Sequence, residues 1–215
     1  MIEAAPATDP VFGACVSSRY VDAFVNGHVS DLAHSNPYRF AFLNDFFKPE
    51  FYERISTFKP ALDKSYTSRT GYEIEIYYEP YFNEEFIRLV YGKAFRLFLA
   101  RLMGASRVTR PIGKYPQLRS IRGDQGGMGI HDDNSAGYNG VAFFNTSDQW
   151  MEGAGGELVI WEGLGGERYK KRFEFAPSGN SVSVMRFSDG SYHSVNSPNG
   201  TWMRTNILVE LQFED

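Results

Sequence analysis

The stretch "GIHDDNSAGYNG", residues 129–140, contains a pair of residues well suited to metal chemistry. His131 and Asp133 are two positions apart, and residues two apart on an extended segment point to the same side. An imidazole and a carboxylate placed in this way could bind one metal ion together. Chance also produces this spacing, because Asp and Glu make up 26 of the 215 residues and the chain has four histidines. A solvated polar turn therefore stays open as an alternative for the pair taken alone.

A second imidazole would complete a metal site around this pair. His193 is the remaining histidine in the strand-rich half of the chain, whereas His28 and His34 lie near the N-terminus without a matching acid and are interpreted as surface or structural residues. Two histidines and one carboxylate leave three coordination positions open on an octahedral ion, as non-haem Fe(II) oxygenases require. His131, Asp133 and His193 are thus the candidate catalytic and metal-binding residues.

Arg204 follows His193 by eleven residues and begins the run "RTNILVELQF". A charged side chain on the inner face of a strand needs an anionic partner, and a guanidinium binds a carboxylate through two parallel hydrogen bonds. Arg204 is therefore a candidate for binding an anionic ligand, unless it pairs with one of the chain's own acids. A strand here would have two faces, the first with Ile207, Val209, Leu211 and Phe213, and the second with Trp202, Arg204, Asn206 and Glu210.

Helices and one strand are predicted before residue 110, where they would support the later strands. The apolar run at 38–47 favours a strand, and Pro49 with Glu50 suits the first turn of a helix that continues through "PEFYERISTFKPAL". The segment 82–104 predicts one long helix, with Asn83 as its N-cap and Gly104 at its end. Residues 1–37 are interpreted as an N-terminal arm with one short helix, and residues 38–215 as a single domain.

After residue 110, short β-prone runs alternate with Gly, Asn, Asp and Ser turns. This pattern favours an antiparallel sandwich or barrel of mainly β structure, with the helices covering one outer face. The runs are "QLRSIRG", "GVAFFNTS", "GELVIWEG", "KRFEFAP", "NSVSVMRFS", "SYHSVNS" and "RTNILVELQF".

Composition excludes several classes of function. The net charge is −4 and the 22 Lys and Arg residues are dispersed, which disfavours nucleic-acid binding. Cys15 is the single cysteine, so neither a disulfide framework nor a thiolate zinc cluster is expected. The chain has no signal-peptide pattern and no apolar stretch of about 18 residues, so we expect a soluble cytoplasmic protein without a membrane partner.

Taken in order, four motifs resemble the 2-oxoglutarate- and Fe(II)-dependent oxygenases of the prolyl-4-hydroxylase-like branch. They are "YRFAFLNDFFKPEFYERI", "HDD", "GGELVIW" and "FSDGSYHSVNSPNGTWMRTNILVEL", and the resemblance covers about residues 38–213. It implies a double-stranded β-helix, a jelly-roll barrel like that of cupins. It also implies that His131, Asp133 and His193 bind Fe(II), that Arg204 holds the distal carboxylate of 2-oxoglutarate, and that O₂ is consumed.

The chain departs from this family before the histidine. The family often has a tyrosine there that helps to bind the cosubstrate, whereas this chain has "QLRSIRGDQGGMGIH". Arg119, Arg122 and Gln117 are the candidates for the second cosubstrate contact.

The expected reaction is hydroxylation, or a related oxidation, of an unactivated C–H bond in a small polar substrate such as a free amino acid or a natural-product intermediate. A peptidyl prolyl hydroxylase, a non-redox cupin-like metal enzyme and a non-catalytic binding domain are the alternatives. The oligomeric state is not predicted. A mixed set of acids, amides and indoles is expected to contact the substrate, namely Asp132, Asn134, Glu157, Trp161, Trp202 and Asn206.

Overall fold

The computed structural model describes residues 9–57, 64–67, 73–77, 83–111, 115–123, 126–133, 137–147 and 149–215. The helices are α1 (Pro10–Cys15), α2 (Ser18–Val25), α3 (Pro49–Ser56), α4 (Glu84–Val90) and α5 (Lys93–Met103). The strands are β1 (Ala33–His34), β2 (Phe40–Leu43), β3 (Lys64–Thr67), β4 (Glu73–Tyr77), β5 (Arg107–Thr109), β6 (Gln117–Arg122), β7 (Met128–His131), β8 (Gly140–Asn145), β9 (Leu158–Gly163), β10 (Tyr169–Phe175), β11 (Val182–Arg186), β12 (His193–Val195) and β13 (Met203–Glu214).

Two antiparallel sheets form the body of the described structure. The larger sheet has the strand order β1-β2-β11-β8-β13-β6-β4-β3, with β5 paired to one end of β13. The smaller sheet has the order β10-β9-β12-β7. Strands far apart in sequence are neighbours in both sheets, as in the jelly-roll type of barrel. This architecture agrees with the mainly β fold that the sequence predicts.

The larger sheet has a separate apolar core on each of its faces. On one face, β13 contributes Ile207 and Val209 to a core shared with all five helices. On the other face, Leu208 of the same strand packs with Leu158 and Ile160 of the smaller sheet. The alternation along β13 therefore separates a helix-covered side from the interior of the barrel.

All seven β-prone runs that the sequence singles out form strands. The structure adds β1, β3, β4, β5 and β7, which the sequence did not predict. The strand predicted at 38–47 is shorter than expected, because β2 ends at Leu43 and Asp45 adopts a positive φ of 47°.

The prediction of one long helix at 82–104 is wrong, because the chain forms α4 and α5 here. Gly92 adopts an extended ψ of 151° between them, and a Cβ at this position would lie 2.8 Å from the carbonyl oxygen of Arg88. The predicted ends are confirmed: Asn83 accepts a hydrogen bond from the Phe86 amide, and Gly104 ends α5 in the left-handed conformation.

Residues 9–37, the described part of the segment before residue 38, contain two α-helices where the sequence predicts one. Phe12 of α1 and Phe24 of α2 are buried and join the helix-covered core. Pro49 begins α3 as predicted, and Phe51 and Ile55 face the same core. The predicted remainder of that helix lies partly outside the described residues. None of the described helices combines the length and apolar character that a bilayer-spanning helix needs.

Candidate metal centre

Pairing between β7 and β12 brings the two histidines together. His131 at the end of β7 is the direct partner of His193 at the start of β12, and their ring centroids are 4.3 Å apart. Asp133 follows β7 and turns its carboxylate towards both rings. Its Oδ1 lies 3.7 Å from Nε2 of His131, and its Oδ2 lies 3.6 Å from Nε2 of His193. One ligand atom from each residue lies within 4.8 Å of the others.

Hydrogen bonds to the backbone orient both imidazoles. Nδ1 of His131 is 2.8 Å from the carbonyl oxygen of Gly129, and Nδ1 of His193 is 3.0 Å from that of Ser191. Since a carbonyl oxygen only accepts, each Nδ1 carries a proton, and each Nε2 is the ring nitrogen that faces Asp133. Phe187 stacks on the His193 ring with an interplanar angle of 6°, and this stacking restricts rotation of the imidazole.

Burial and neighbouring charges shift the pKa values of His131 and Asp133 towards the forms that bind a metal. Burial lowers the pKa of His131, and the neighbouring His193 lowers it further, so this imidazole is neutral at neutral pH. Burial opposes ionisation of Asp133, but His193, His131 and Arg119 outweigh it and lower the pKa of this carboxyl. Neutral imidazoles and an ionised carboxylate are the ligand forms that bind a divalent ion.

This donor set fits a divalent transition metal. Two imidazole nitrogens and one carboxylate oxygen on one side of an ion leave three positions for other ligands, which is the arrangement of non-haem Fe(II) sites. His131, Asp133 and His193 are therefore the residues that would hold iron in this protein.

Arg204 lies inside the barrel, near the start of β13. It is 4% exposed, and it pairs with Ile121 of β6 in the larger sheet. Gly156 lies directly beside it, since a Cβ on Gly156 would be 3.2 Å from Cδ of Arg204 and 2.7 Å from the Trp202 ring. Trp202 and Arg204 thus lie against the same glycine, and the charge of Arg204 needs an anion in this buried position.

Two of the three candidates for the second cosubstrate contact point into the barrel. Leu118 packs in the helix-covered core, so Gln117 and Arg119 on either side of it face the interior. Arg119 donates two hydrogen bonds to Oε1 of Gln117, at 3.1 and 2.8 Å. Arg122 is exposed, and its side chain points to the opposite face of the sheet from the buried Ile121. The structure therefore groups Arg119 and Gln117 with the centre, and it leaves Arg122 at the surface.

Asn206 and Asp132 also lie close to the centre. Asn206 is 1% exposed on the inner face of β13, opposite Arg119, and its Oδ1 has no hydrogen-bond partner among the described residues. Asp132 is exposed between the two ligands of the motif, and its charge acts on His131.

Trp161 and Glu157, two other predicted substrate residues, are not gathered at the centre. Trp161 donates a hydrogen bond to Oγ of Ser194 at 2.8 Å, on the face of the smaller sheet opposite to Ile160. Glu157 accepts a hydrogen bond from Asn196 at 2.9 Å. It lies four residues before Trp161, so the two side chains point to the same side of the extended chain. Asn134 lies outside the described residues.

Sequence reasoning missed Tyr38 and Phe187, which border the centre. Tyr38 is 6% exposed, and its pKa is raised by burial and then by the charge of Asp133, which shows that the two groups are close. The alternation of Tyr38 and Phe40 along "YRF" could have indicated a shared inner face. Phe187 precedes His193 by six residues across a turn, and no local signal connects the two.

Solved structures with the same fold include oxygenases of the type that the sequence motifs suggest. A 2OG-Fe(II) oxygenase family oxidoreductase from Burkholderia pseudomallei is 15% identical, with a TM-score of 0.60 over 80% of this chain and 85% of its own. A prolyl hydroxylase from Trichoplax adhaerens, in complex with a hypoxia inducible factor peptide fragment, is 15% identical, with a TM-score of 0.62 over 92% and 94% of the two chains.

A third similar structure is the non-heme alpha ketoglutarate dependent epimerase SnoN from nogalamycin biosynthesis. It is 9% identical, with a TM-score of 0.55 over 82% of this chain and 81% of its own. No protein-family model matches the sequence, and the curated proteins include no sequence match. The chain therefore has the double-stranded β-helix fold of the 2-oxoglutarate- and Fe(II)-dependent oxygenases, with a two-histidine, one-carboxylate centre inside the barrel.

Proposed function

We propose that this protein is a 2-oxoglutarate-dependent non-haem iron dioxygenase that hydroxylates, or otherwise oxidises, an unactivated C–H bond of a small polar substrate. The observation that carries the proposal is the convergence of His131, Asp133 and His193 within 4.8 Å, on a fold shared with such oxygenases. Iron bound there with 2-oxoglutarate supplies the O₂ activation that amino-acid side chains cannot supply.

Three residues bind the metal, and a fourth orients the cosubstrate. His131, Asp133 and His193 would hold the iron, and three protein ligands would leave coordination positions for the cosubstrate and O₂. Arg204 binds the distal carboxylate of 2-oxoglutarate, because a buried guanidinium forms two parallel hydrogen bonds with a carboxylate. The apolar residues of the inner core exclude water and protect the reacting groups from side reactions.

Binding of metal and cosubstrate tests this function directly. Purified protein mixed with Fe(II) and 2-oxoglutarate without oxygen should show the weak visible charge-transfer band of an iron-bound 2-oxo acid. A non-redox cupin-like enzyme or a binding domain would show no such band. With oxygen and a substrate, succinate should form in proportion to oxidised product.

A peptide substrate is the second candidate, because the similar Trichoplax protein was solved with a peptide fragment. Two substrate panels separate the possibilities, one of free amino acids and one of proline-containing peptides. Mass spectrometry should detect the gain of one oxygen atom in the first panel. Turnover confined to the peptides would replace the small-molecule proposal and leave the iron chemistry in place.

A further inference from the structure

Two arginines face the interior of the barrel from neighbouring strands. In the β6–β13 pairing, Arg204 lies opposite Ile121 and Arg119 lies opposite Asn206. The two arginines are therefore diagonal neighbours on one face, with about 7–8 Å between their Cα atoms. Arg119 is also near enough to Asp133 for its charge to stabilise the ionised carboxyl group. Arg119 is thus within electrostatic reach of the metal centre.

Arg119 is held by a neutral residue. Its Nε and Nη2 both donate to the side-chain oxygen of Gln117, which carries no charge. Asp133, the carboxylate on which the charge of Arg119 acts, is within ion-pair distance of His131 and His193 instead. Glu210, a buried acid on the inner face of β13, is four residues beyond Asn206, or about 13 Å along the strand. The Gln117 contact orients the guanidinium without neutralising it.

Apart from the solvent-exposed Asp132, the charges of the proposed ternary site balance without Arg119. Iron brings two positive charges, 2-oxoglutarate brings two negative charges, and Asp133 and Arg204 contribute one of each sign. Arg119 then adds a positive charge in a partly buried position, where an unpaired ion is costly. Asn206, directly opposite, adds a buried amide oxygen without a partner, which favours a hydrogen-bond donor here, such as the ammonium group of an amino acid.

We infer that Arg119 binds a carboxylate of the primary substrate, so that the enzyme selects anionic substrates such as free amino acids or other small carboxylic acids. This inference rests on the proposed function and specifies its substrate class. Arg204 and Arg119 then have separate tasks, because Arg204 holds the cosubstrate and Arg119 holds the molecule that is oxidised. The Gln117 contact keeps the planar guanidinium pointed into the cavity for a two-point interaction.

Paired probes test this division of tasks. The free L-amino acids and the matching L-amino acid amides differ only in the carboxylate, and each is added to the complex of protein, Fe(II) and 2-oxoglutarate without oxygen. A bound substrate changes the visible charge-transfer band. We expect one or more acids, and none of the amides, to change the band of the wild-type protein.

Three substitutions then test whether Arg119 is the residue that binds the substrate carboxylate. Arg119→Gln should weaken binding of the active acid by more than about tenfold and leave 2-oxoglutarate affinity within about threefold. Arg119→Lys should recover part of the acid affinity, because it restores the charge without the planar fork. Exposed Arg168→Gln is the matched control and should change neither affinity.

Several results would overturn the inference. Equal responses to acids and amides would show that no carboxylate is recognised, and a wild-type complex that responds to none of the acids would have the same consequence. A loss of 2-oxoglutarate affinity in Arg119→Gln as large as that in Arg204→Gln would make Arg119 a cosubstrate residue. Failure of the wild-type protein to form the charge-transfer band at all would instead contradict the proposed function.

Discussion

His131, Asp133 and His193 each provide one metal ligand, so replacing any one of them by alanine should remove iron from the protein. Loss of an outer-shell partner alone lowers metal affinity by about 10–100-fold, and loss of a ligand should cost at least as much. Metal analysis of the purified variants after loading with Fe(II) measures the effect, and circular dichroism checks that each variant is folded.

His28→Ala is the matched histidine control for this prediction. The His28 side chain is 70% exposed and lies beside Asp31, far along the chain from the strands that form the centre. This variant should bind as much iron as the wild-type protein. Full iron occupancy in His193→Ala would show that another residue completes the centre.

Arg204→Ala should chiefly weaken 2-oxoglutarate binding. Removal of one partner from a buried charge pair costs about 2–5 kcal/mol, which is more than a tenfold change in affinity. Arg204→Lys should restore part of the loss, because lysine lacks the planar fork. Titration of the charge-transfer band gives the dissociation constant. An unchanged constant in Arg204→Ala would assign Arg204 a structural role.

At the scale of elements, the glycine pair before β9 shapes the cavity wall beside Arg204. Gly156 has a φ of 77°, and a Cβ there would meet the Trp202 ring at 2.7 Å. Gly156→Ala should therefore displace Trp202 and Arg204 and weaken 2-oxoglutarate binding by several-fold, while iron binding persists.

Gly153→Ala is the control that separates the effect of the Trp202 contact from the effect of backbone strain. Gly153 has a φ of 83° and no atom within 4 Å of the added Cβ, so both variants carry similar strain of about 1–3 kcal/mol. The difference in 2-oxoglutarate affinity between the two variants isolates the contact. Equal affinities in both would mean that Gly156 matters only for the turn.

At the scale of the whole molecule, the helix-covered core supports the sheet that carries Arg204 and Arg119. Phe144 of β8 is 1% exposed, and its ring lies 5.1 Å from that of Phe86 and 5.5 Å from that of Phe47. Phe144→Ala should lower the free energy of unfolding by about 3–5 kcal/mol, because it leaves a cavity between helices and sheet.

Denaturant titration measures that loss, with Met151→Ala as the surface control. Met151 is 70% exposed, so its truncation should change the free energy of unfolding by less than about 0.5 kcal/mol. A loss in Phe144→Ala as small as in the control would mean that the core rearranges to fill the space.

Local patterns in the sequence were sufficient to single out the His131–Asp133 pair and to predict most strands. His131 and Asp133 lie two residues apart within one segment. The side chains of β13 alternate between the two faces of the sheet over many residues. The helix ends at Asn83 and Gly104 were also predictable, because capping depends on neighbouring residues. These features are local, so tertiary contacts were not needed to identify them.

Other features depended on contacts between distant segments. Both faces of β9 carry apolar residues, so its sequence leaves open whether Ile160 or Trp161 points inward; pairing with β12 places Ile160 inside. The glycine-rich lead-in to His131 has little intrinsic strand preference, and β7 forms because β12 supplies its hydrogen-bonding partner.

The sequence alone determined which residue types could bind iron and a carboxylate, because imidazole, carboxylate and guanidinium chemistry belongs to single residues. The tertiary structure decided which of them meet. Pairing across β7 and β12 unites His131 with His193, which are 62 positions apart, and pairing across β6 and β13 sets Arg119 near Arg204. Strand register fixes these distances, and register depends on the burial of whole strand faces rather than on any short motif.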